Sequence, residues 1–358
     1  MRFNLTDDQK SIENMLLSFF QDRFGGAEGV EGIREETLDR ELWFAIAELG
    51  LAGVMVSEAA GGIGLDLLTA TVVAEAAGRY AVPAPILPNM IAAWLIADAG
   101  STAQRERWLG GLLDGSVLAT FALAEADGWL AESWTLDLPA TGTKFYVERA
   151  AEADLLLVGL KGGRLAMVET NQPGLSIAPI DTLDRTRPLA DVAFENVSLD
   201  PLDASPQTVD RLIDALLVTH AADALGAARG AQDRAVAYAH ERIQFGRPIG
   251  AFQAVKHQLA DISVEIAPAR PLIWYAAHGW DTSRPDARRM AALAKAHVGD
   301  IAVAAGRTAI EVHGGIGFTW EHPAHLFLKR AMHDRTVLGL PAVHRERSAE
   351  LAGWLLTN

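Results

Sequence analysis

One stretch indicates the fold of this chain more than any other: Arg242-Ile243-Gln244-Phe245-Gly246-Arg247-Pro248-Ile249-Gly250-Ala251-Phe252-Gln253. It separates two runs of helical character, and its glycines place a turn between them. The turn groups an arginine, two glutamines and aromatic side chains around one corner. A guanidinium group pairs with phosphate through a planar fork of donors, and the amides supply both donors and acceptors. The corner is therefore predicted to hold a planar, phosphorylated ligand, with an ordinary helix–loop–helix as the alternative.

A second motif lies downstream: Glu311-Val312-His313-Gly314-Gly315-Ile316-Gly317-Phe318-Thr319-Trp320-Glu321-His322-Pro323. Together with the preceding R-x-Q-F-G-x-x-I-x-x-F-Q, it resembles the acyl-CoA dehydrogenase family, and the resemblance covers essentially the whole chain. The resemblance implies that an acyl-CoA thioester loses two hydrogens and becomes a trans-2-enoyl-CoA. In that family a carboxylate takes the α-proton, FAD accepts the β-hydride, and the electrons pass to an electron-transfer flavoprotein.

Composition excludes several other classes of protein. The chain has 358 residues, no cysteine and a formal net charge of −15. Such a charge argues against nucleic acid as a partner, and the missing cysteines exclude thiolate metal sites and a cysteine nucleophile. Half of the residues are apolar, yet no run is long enough for a membrane span, and the N-terminus lacks the apolar core of a signal peptide. We expect a cytoplasmic protein with neither a membrane nor a metal site.

The hydrophobic period changes twice along the chain. Thr6-Asp7-Asp8-Gln9 is typical of a capping box that opens the first of several helices. Six short apolar runs then predict a small antiparallel β-barrel or sandwich, before the helical period returns. The predicted class is α+β, as in the resembled family. Its predicted domains are an N-terminal helical domain at 1–116, a middle β domain at 117–205 and a C-terminal four-helix bundle at 206–358.

Three local features refine the C-terminal part. The run from Val209 to Phe245 contains no proline and predicts one long helix. Pro268 and Pro271 predict a kink or break where relatives in the resembled family run on. Ser283 is predicted to cap the next helix, with Pro285 just inside it.

The resemblance assigns the cofactor contacts residue by residue. It implies that the corner contacts FAD held mainly by a neighbouring subunit, and that the second motif closes round the same region. The residues implied are Arg242, Gln244, Phe245, Phe252, Gln253, Glu311, Val312, His313, Gly314 and Gly315. For His313 a packed helix-terminal histidine is the alternative. A shared FAD site further implies an oligomer, either a homo- or hetero-dimer or a dimer of dimers.

The residues expected to bond the flavin ring match the resembled family less well than those of the corner. Relatives carry a Thr-Glu-Pro segment on the first strand of the middle domain and a Trp-Ile-Thr segment further on. Here Ala124 and Glu148 stand where the two hydroxyl groups would bond the flavin. We expect weak flavin-ring binding by this chain's own middle domain.

The catalytic base is missing from both of its usual positions, which align with Leu338 and Leu216. Helix geometry places His220 and Asp223 within about 40° of the face of the second position, one and two turns on. These two are the predicted base candidates, and a capped or solvated polar pair on the helix surface is the alternative. Glu311 and Glu321 are expected to have structural roles.

Three hypotheses follow. The first is an acyl-CoA dehydrogenase with a relocated base, and the second is a non-catalytic subunit that completes the FAD site of a heteromeric acyl-CoA dehydrogenase. The third is a flavin oxidase or monooxygenase on the same fold. Loss of the base at both positions favours the second over the third, so we expect acyl-CoA dehydrogenase function together with a partner chain.

Overall fold

A computed structural model describes residues 4–25, 33 and 37–354 of the chain. Helices are followed by strands and then again by helices, so the predicted α+β order is confirmed. No helix in these ranges is both long and apolar enough to cross a membrane. The helices described are α1 (Asp7–Phe24), α2 (Arg40–Ala47), α3 (Leu67–Arg79), α4 (Ile86–Ala99), α5 (Thr102–Asp114), α6 (Pro206–Glu241), α7 (Gln253–Ile266), α8 (Ala269–Asp281), α9 (Ala287–His313), α10 (Ala324–Thr336) and α11 (Pro341–Leu351).

The strands described lie in the middle of the chain and at the corner. They are β1 (Ala119–Ala122), β2 (Ala140–Glu148), β3 (Leu155–Leu160), β4 (Arg164–Glu169), β5 (Leu175–Ile180), β6 (Leu189–Val197), β7 (Asp200–Pro201), β8 (Ile243–Gln244) and β9 (Arg247–Pro248). Each of the six predicted runs overlaps one of these strands.

The chain divides into two compact units, each formed from separated segments. The first comprises Met1–Glu35, Thr71–Val82 and Leu217–Asn358, and the second comprises Glu36–Ala70 and Pro83–Leu216. The division into domains at 1–116, 117–205 and 206–358 stays a prediction.

The second unit contains two sheets that share one apolar core. The sheets have the strand orders β1-β3-β4-β7 and β2-β6-β5. Val158 and Ala166 of the first sheet pack in the same cluster as Val192 and Phe194 of the second. This is a sandwich, as predicted, but β1 pairs with β3 in parallel and only the remaining pairs are antiparallel.

In the first unit, small residues let helices approach closely. Alanines of α6 pack against α9 and α10, and the core they form includes Ala227, Ala231, Ala235, Ala239, Ala309, Val312, Leu326 and Phe327. Between α3 and α6 the backbones nearly touch. A Cβ atom on Gly226 would lie 2.1 Å from the Glu75 carbonyl oxygen, and one on Gly78 would lie 2.0 Å from the Asp223 carbonyl oxygen. Only glycine fits at these positions.

Two helix boundaries differ from the prediction. Helix α6 ends at Glu241 rather than at Phe245, because the residues that follow form a hairpin. The N-cap position of helix α9 is Asp286 rather than Ser283. The Asp286 side chain does not cap the helix, because its carboxylate accepts hydrogen bonds from Tyr275 and Arg284. The predicted break at Pro268 is confirmed, since α7 ends at Ile266 and α8 begins at Ala269.

The close crossing of α3 and α6 gives a stability prediction. We expect Gly226→Ala to lower the free energy of unfolding by roughly 1–3 kcal/mol, because the added methyl group overpacks the crossing. Gly110→Ala is the matched control, since Gly110 is exposed within α5 and an added Cβ meets nothing within 4 Å. In the control, alanine should raise the free energy of unfolding by roughly 0.5–1 kcal/mol. Urea denaturation of both variants measures the difference, and equal effects would contradict the crossing as described.

Candidate functional site

The corner is a β-hairpin whose turn holds an aromatic side chain out in solvent. Ile243 pairs with Pro248 and Gln244 with Arg247, which leaves Phe245 and Gly246 as the turn. Both have a positive φ, +52° and +78°, as a type I′ turn requires. That conformation is unfavourable for a bulky residue, and the Phe245 side chain is nevertheless 92% exposed. Such strain at an exposed aromatic residue is typical of a site that awaits a ligand or partner.

The polar side chains of Arg242 and Gln244 in the corner face solvent. Arg247 stacks its guanidinium 4.1 Å from the centre of the Phe252 ring, and Phe245 meets the same ring edge-on at 6.0 Å. The side chains of Arg242 and Gln244 are exposed and form no hydrogen bond with any residue that the structure describes. Their donors are therefore accessible to a phosphate-bearing ligand.

The second motif lies beside the corner's following helix. Helix α9 ends at His313, and Gly314 turns the chain with a φ of +66°. The Gln258 amide of α7 donates to the Glu311 carboxylate at 3.4 Å, which links the two motifs. A Cβ atom on Gly314 or Gly315 would meet nothing within 4 Å, so the backbone here is open to close approach.

His313 and Val312 face inward rather than toward that open backbone. His313 is buried, bonds the Ala309 carbonyl through Nδ1 at 2.6 Å, and stacks on Tyr238 with ring centres 4.5 Å apart. Burial lowers the pKa of His313, although the bond to Ala309 opposes the shift. This geometry favours the packed helix-terminal histidine over a direct cofactor contact.

Glu148, which the sequence predicts at the position of a flavin-bonding hydroxyl group, is in a buried ion pair. Its carboxylate lies 2.8 Å from Nη1 of Arg187, and the same nitrogen donates to the Ala84 carbonyl. Ala124 is buried and bridges to Phe145 through the backbone. Glu125 is likewise engaged, 2.5 Å from the buried ammonium of Lys144. These residues therefore contact other residues of the second unit.

His220 and Asp223 are buried within the first unit, so the alternative of a solvated pair on the helix surface is wrong. Nδ1 of His220 lies 3.1 Å from the Asp334 carboxylate, and Asp223 lies 3.5 Å from Nε of Arg330. Arg330 also donates to the Val82 carbonyl at 2.7 Å. Both base candidates thus contact charged residues of α10, which were not identified from the sequence.

A buried lysine joins His220 and Asp334 in one cluster. Lys295 donates to the Asp334 carbonyl oxygen at 2.5 Å, and burial lowers the pKa of this lysine to about 8 against the pull of the Asp334 carboxylate. In the described ranges, His220, His333 and Asp334 form the one group able to offer three metal-ligand atoms, within 4.8 Å of one another. A cation there would meet the ammonium of Lys295, still mostly charged at pH 7, so we assign the cluster to ion pairing.

Sequence comparisons agree with the geometry. The descriptions "Acyl-CoA dehydrogenase, N-terminal domain" and "Acyl-CoA dehydrogenase, C-terminal domain" match residues 6–116 and 215–352. Acyl-CoA dehydrogenase IpdE2 of Mycobacterium tuberculosis is 34% identical over 85% of this chain and 84% of its own length. The chain belongs to the acyl-CoA dehydrogenase family. Members of this family are oxidoreductases acting on CH–CH groups.

Solved structures share the fold of this chain. A variant of the Tcur3481-Tcur3483 steroid ACAD is 30% identical, with a TM-score of 0.87 over 97% of this chain and 98% of that one. A chain from a study of the electron transferring flavoprotein of Acidaminococcus fermentans is 27% identical, with a TM-score of 0.90 over 98% and 99%.

The residues that the sequence predicts at the two ends of an FAD site differ in chemistry in this structure. The corner offers an unengaged guanidinium, amide groups and open glycine backbone, which suit the adenosine-diphosphate end. At the predicted ring end, Ala124 carries no hydroxyl group, and the carboxylate of Glu148 is held by Arg187. Leu216 and Leu338, which the sequence predicts at the usual base positions, are both buried. Leu338 has a φ of +62°.

His344, whose ring lies against the turn after Leu338, gives a prediction of pH dependence. Burial lowers the pKa of His344 to about 3, well below the ordinary 6.5. As pH falls from 6.5, the unfolded state takes up this proton first, so the stabilisation present above pH 6.5 is lost progressively. We expect His344→Leu to flatten the fall in unfolding free energy between pH 6.5 and about 4. Urea titrations across this range measure the slope.

His257→Leu is the control for this slope, because His257 lies exposed on α7. It should leave the slope of the wild-type chain unchanged. If His344→Leu follows the wild-type slope as closely as the control does, His344 is not a source of the acid sensitivity.

The hairpin turn gives a second prediction. We expect Phe245→Asn to stabilise the isolated chain by a few tenths of a kcal/mol to about 1 kcal/mol, because asparagine accepts the positive φ of a type I′ turn. The same substitution should weaken FAD retention in the assembled enzyme. Thermal denaturation and flavin absorbance measure the two effects. A variant that loses stability while keeping its flavin would show that Phe245 serves the fold and not the ligand.

Proposed function

We propose that this chain is one subunit of a heteromeric, FAD-dependent acyl-CoA dehydrogenase, in which it completes the FAD site and a partner chain supplies the catalytic base. The observation that carries the proposal is a contrast within the chain. The corner exposes its side chains to solvent, and Phe245 holds an unfavourable positive φ. Both base positions, in contrast, are occupied by buried leucine side chains.

The proposed contacts lie at the phosphate end of the cofactor. Arg242 pairs with the pyrophosphate through its guanidinium fork, and Gln244 and Gln253 supply amide donors and acceptors. Phe245 and Phe252 cover the ligand with ring faces, since their side chains already pack edge to face. Glu311, Gly314 and Gly315 border the same ligand, while Val312 and His313 support it from the interior.

The proton chemistry requires a carboxylate or another base beside the α-carbon of the thioester. Leu338 and Leu216 cannot accept a proton, and the carboxylate of Glu148 is held in an ion pair with Arg187. A partner chain that keeps the base supplies what is missing. FAD, when bound, accepts the β-hydride, and an electron-transfer flavoprotein is the proposed electron acceptor.

The proposed substrate is an acyl-CoA thioester. The Tcur3481-Tcur3483 protein is a steroid ACAD, and its 30% identity over nearly the whole chain favours a steroid-derived acyl-CoA as the first substrate to test.

A second candidate function is autonomous dehydrogenation with His220 as the base. The pair of His220 Nδ1 with the Asp334 carboxylate supports it, because such a contact fixes the tautomer and orientation of a catalytic histidine. Asp223 supports it less, because it is wholly buried against Arg330. In this version Lys295 holds Asp334 in place through its carbonyl oxygen.

The test is acyl-CoA oxidation with an artificial electron acceptor. We expect the chain alone to be inactive and to gain activity when co-expressed with a neighbouring acyl-CoA dehydrogenase gene. Arg242→Gln should lower the activity and flavin content of the complex by about tenfold or more, because a charged hydrogen bond to phosphate is lost. Arg40→Gln is the matched control, since Arg40 is an exposed arginine of α2.

His220→Asn separates the two candidates, because the amide keeps a donor for Asp334 but removes the basic ring nitrogen. The heteromer proposal expects nearly full activity of the complex with this variant. Activity of the chain alone that His220→Asn abolishes would replace the heteromer proposal by the autonomous enzyme.

A further inference from the structure

A cleft of about 270 Å³ between α9 and α10 takes no part in the function proposed above. Its lining includes Asp300, Val303, Arg307, Met332 and Arg335, all in the first unit. The volume is near the lower limit of small-molecule sites in proteins, which begin at roughly 300 Å³.

The charge in this cleft is opposite to that of the chain as a whole. Asp300 accepts a hydrogen bond from Nε of Arg335 at 2.8 Å and a second one from Arg345. Partial burial alone would raise the pKa of Asp300, but these bonds outweigh it and lower the pKa. The single carboxylate is therefore ionised and shared by two guanidinium groups. Among the lining residues, the two guanidinium groups of Arg307 and Arg335 outnumber this one carboxylate, on a chain of net charge −15.

Two guanidinium groups keep donors for a ligand. Arg307 follows Asp300 by two turns on the same face of α9, is exposed, and forms no ion pair with the part of the chain that the structure describes. Arg335 uses Nε on Asp300, while its two Nη groups donate to no described residue. Forked donors of this kind bind phosphate in bidentate fashion.

Apart from Thr336, the rest of the cleft lining is apolar. Val303 in this lining is buried, and Met332 is 41% exposed. A thioether is polarizable and makes favourable contacts with aromatic rings. Charge and apolar surface thus lie side by side within one small cleft.

We propose that this cleft binds a small organic phosphate, whose phosphate group pairs with Arg307 and Arg335 and whose apolar or aromatic part lies on Met332 and Val303. Inorganic phosphate shares the first half of this chemistry and not the second. The ligand class is therefore a phosphomonoester with a compact apolar body.

Isothermal titration of the full chain with phenyl phosphate, at constant ionic strength in chloride, tests the proposal. No FAD or partner chain is needed, so the result is independent of the proposed enzyme function. We expect saturable binding of one ligand per chain, tighter for phenyl phosphate than for inorganic phosphate. Arg307→Gln should weaken the binding about tenfold or more, because it removes a charged fork of donors. Arg307→Lys, which keeps the charge and loses the fork, should weaken it less.

Arg40→Gln is the matched control, because it removes the same charge from an exposed helix elsewhere in the chain. Its affinity should equal that of the wild-type chain. Equal weakening by Arg40→Gln and Arg307→Gln would show a general charge effect and overturn the site. Equal affinity for inorganic phosphate and phenyl phosphate would overturn the organic class of ligand. Circular dichroism of each variant confirms that the comparison is made on folded protein.

Discussion

The close contact between the backbones of α3 and α6 is the constraint on which the first unit depends. Glycines at the crossing bring the two helices so close that a single methyl group would strike a carbonyl oxygen. The Asp223 carbonyl faces Gly78, and its carboxylate pairs with Arg330, which also holds the Val82 carbonyl just beyond α3. Because this crossing fixes Asp223 in the interior, the residue is placed to stabilise the unit and poorly placed to move a substrate proton.

Ion pairs and hydrogen bonds engage buried charged residues in both units. In the second unit, Glu148 and Arg187 form a buried pair in which the arginine also bonds the Ala84 carbonyl. In the first unit, Asp334 joins His220 to Lys295. Removing one member of such a pair strands a buried charge, so these positions tolerate change poorly even without a role in catalysis.

Much of the fold could be predicted because its signals are local. The capping box of Thr6 and Gln9 forms with both reciprocal hydrogen bonds, and the apolar run at Leu175–Ile180 is a strand. The end of α6 was misplaced because Ile243 and Gln244 are compatible with a helix, and only pairing across the turn makes them a strand. The parallel pairing of β1 with β3 was missed for the same reason, since register between distant segments leaves no local signal.

The corner could be identified from the sequence as a motif, and its role as a cofactor site stays a prediction. Arg242, Gln244 and Phe245 lie within four residues of one another in sequence, and the structure places them at one hairpin. The burial of His220 and Asp223 could not be foreseen, because their partners Asp334 and Arg330 lie more than a hundred residues away. The spacing of those partners by four residues on α10 was the available signal, and it identifies a shared helix face but not the helix it meets.

The most direct test of the central claim is a fluorescence titration of FAD with the purified chain in the absence of any partner. If the chain keeps only the phosphate end of the site, flavin emission should change little and should not saturate at micromolar protein. Stoichiometric quenching, with a yellow protein recovered after gel filtration, would show that the chain holds the flavin ring by itself and would contradict the account.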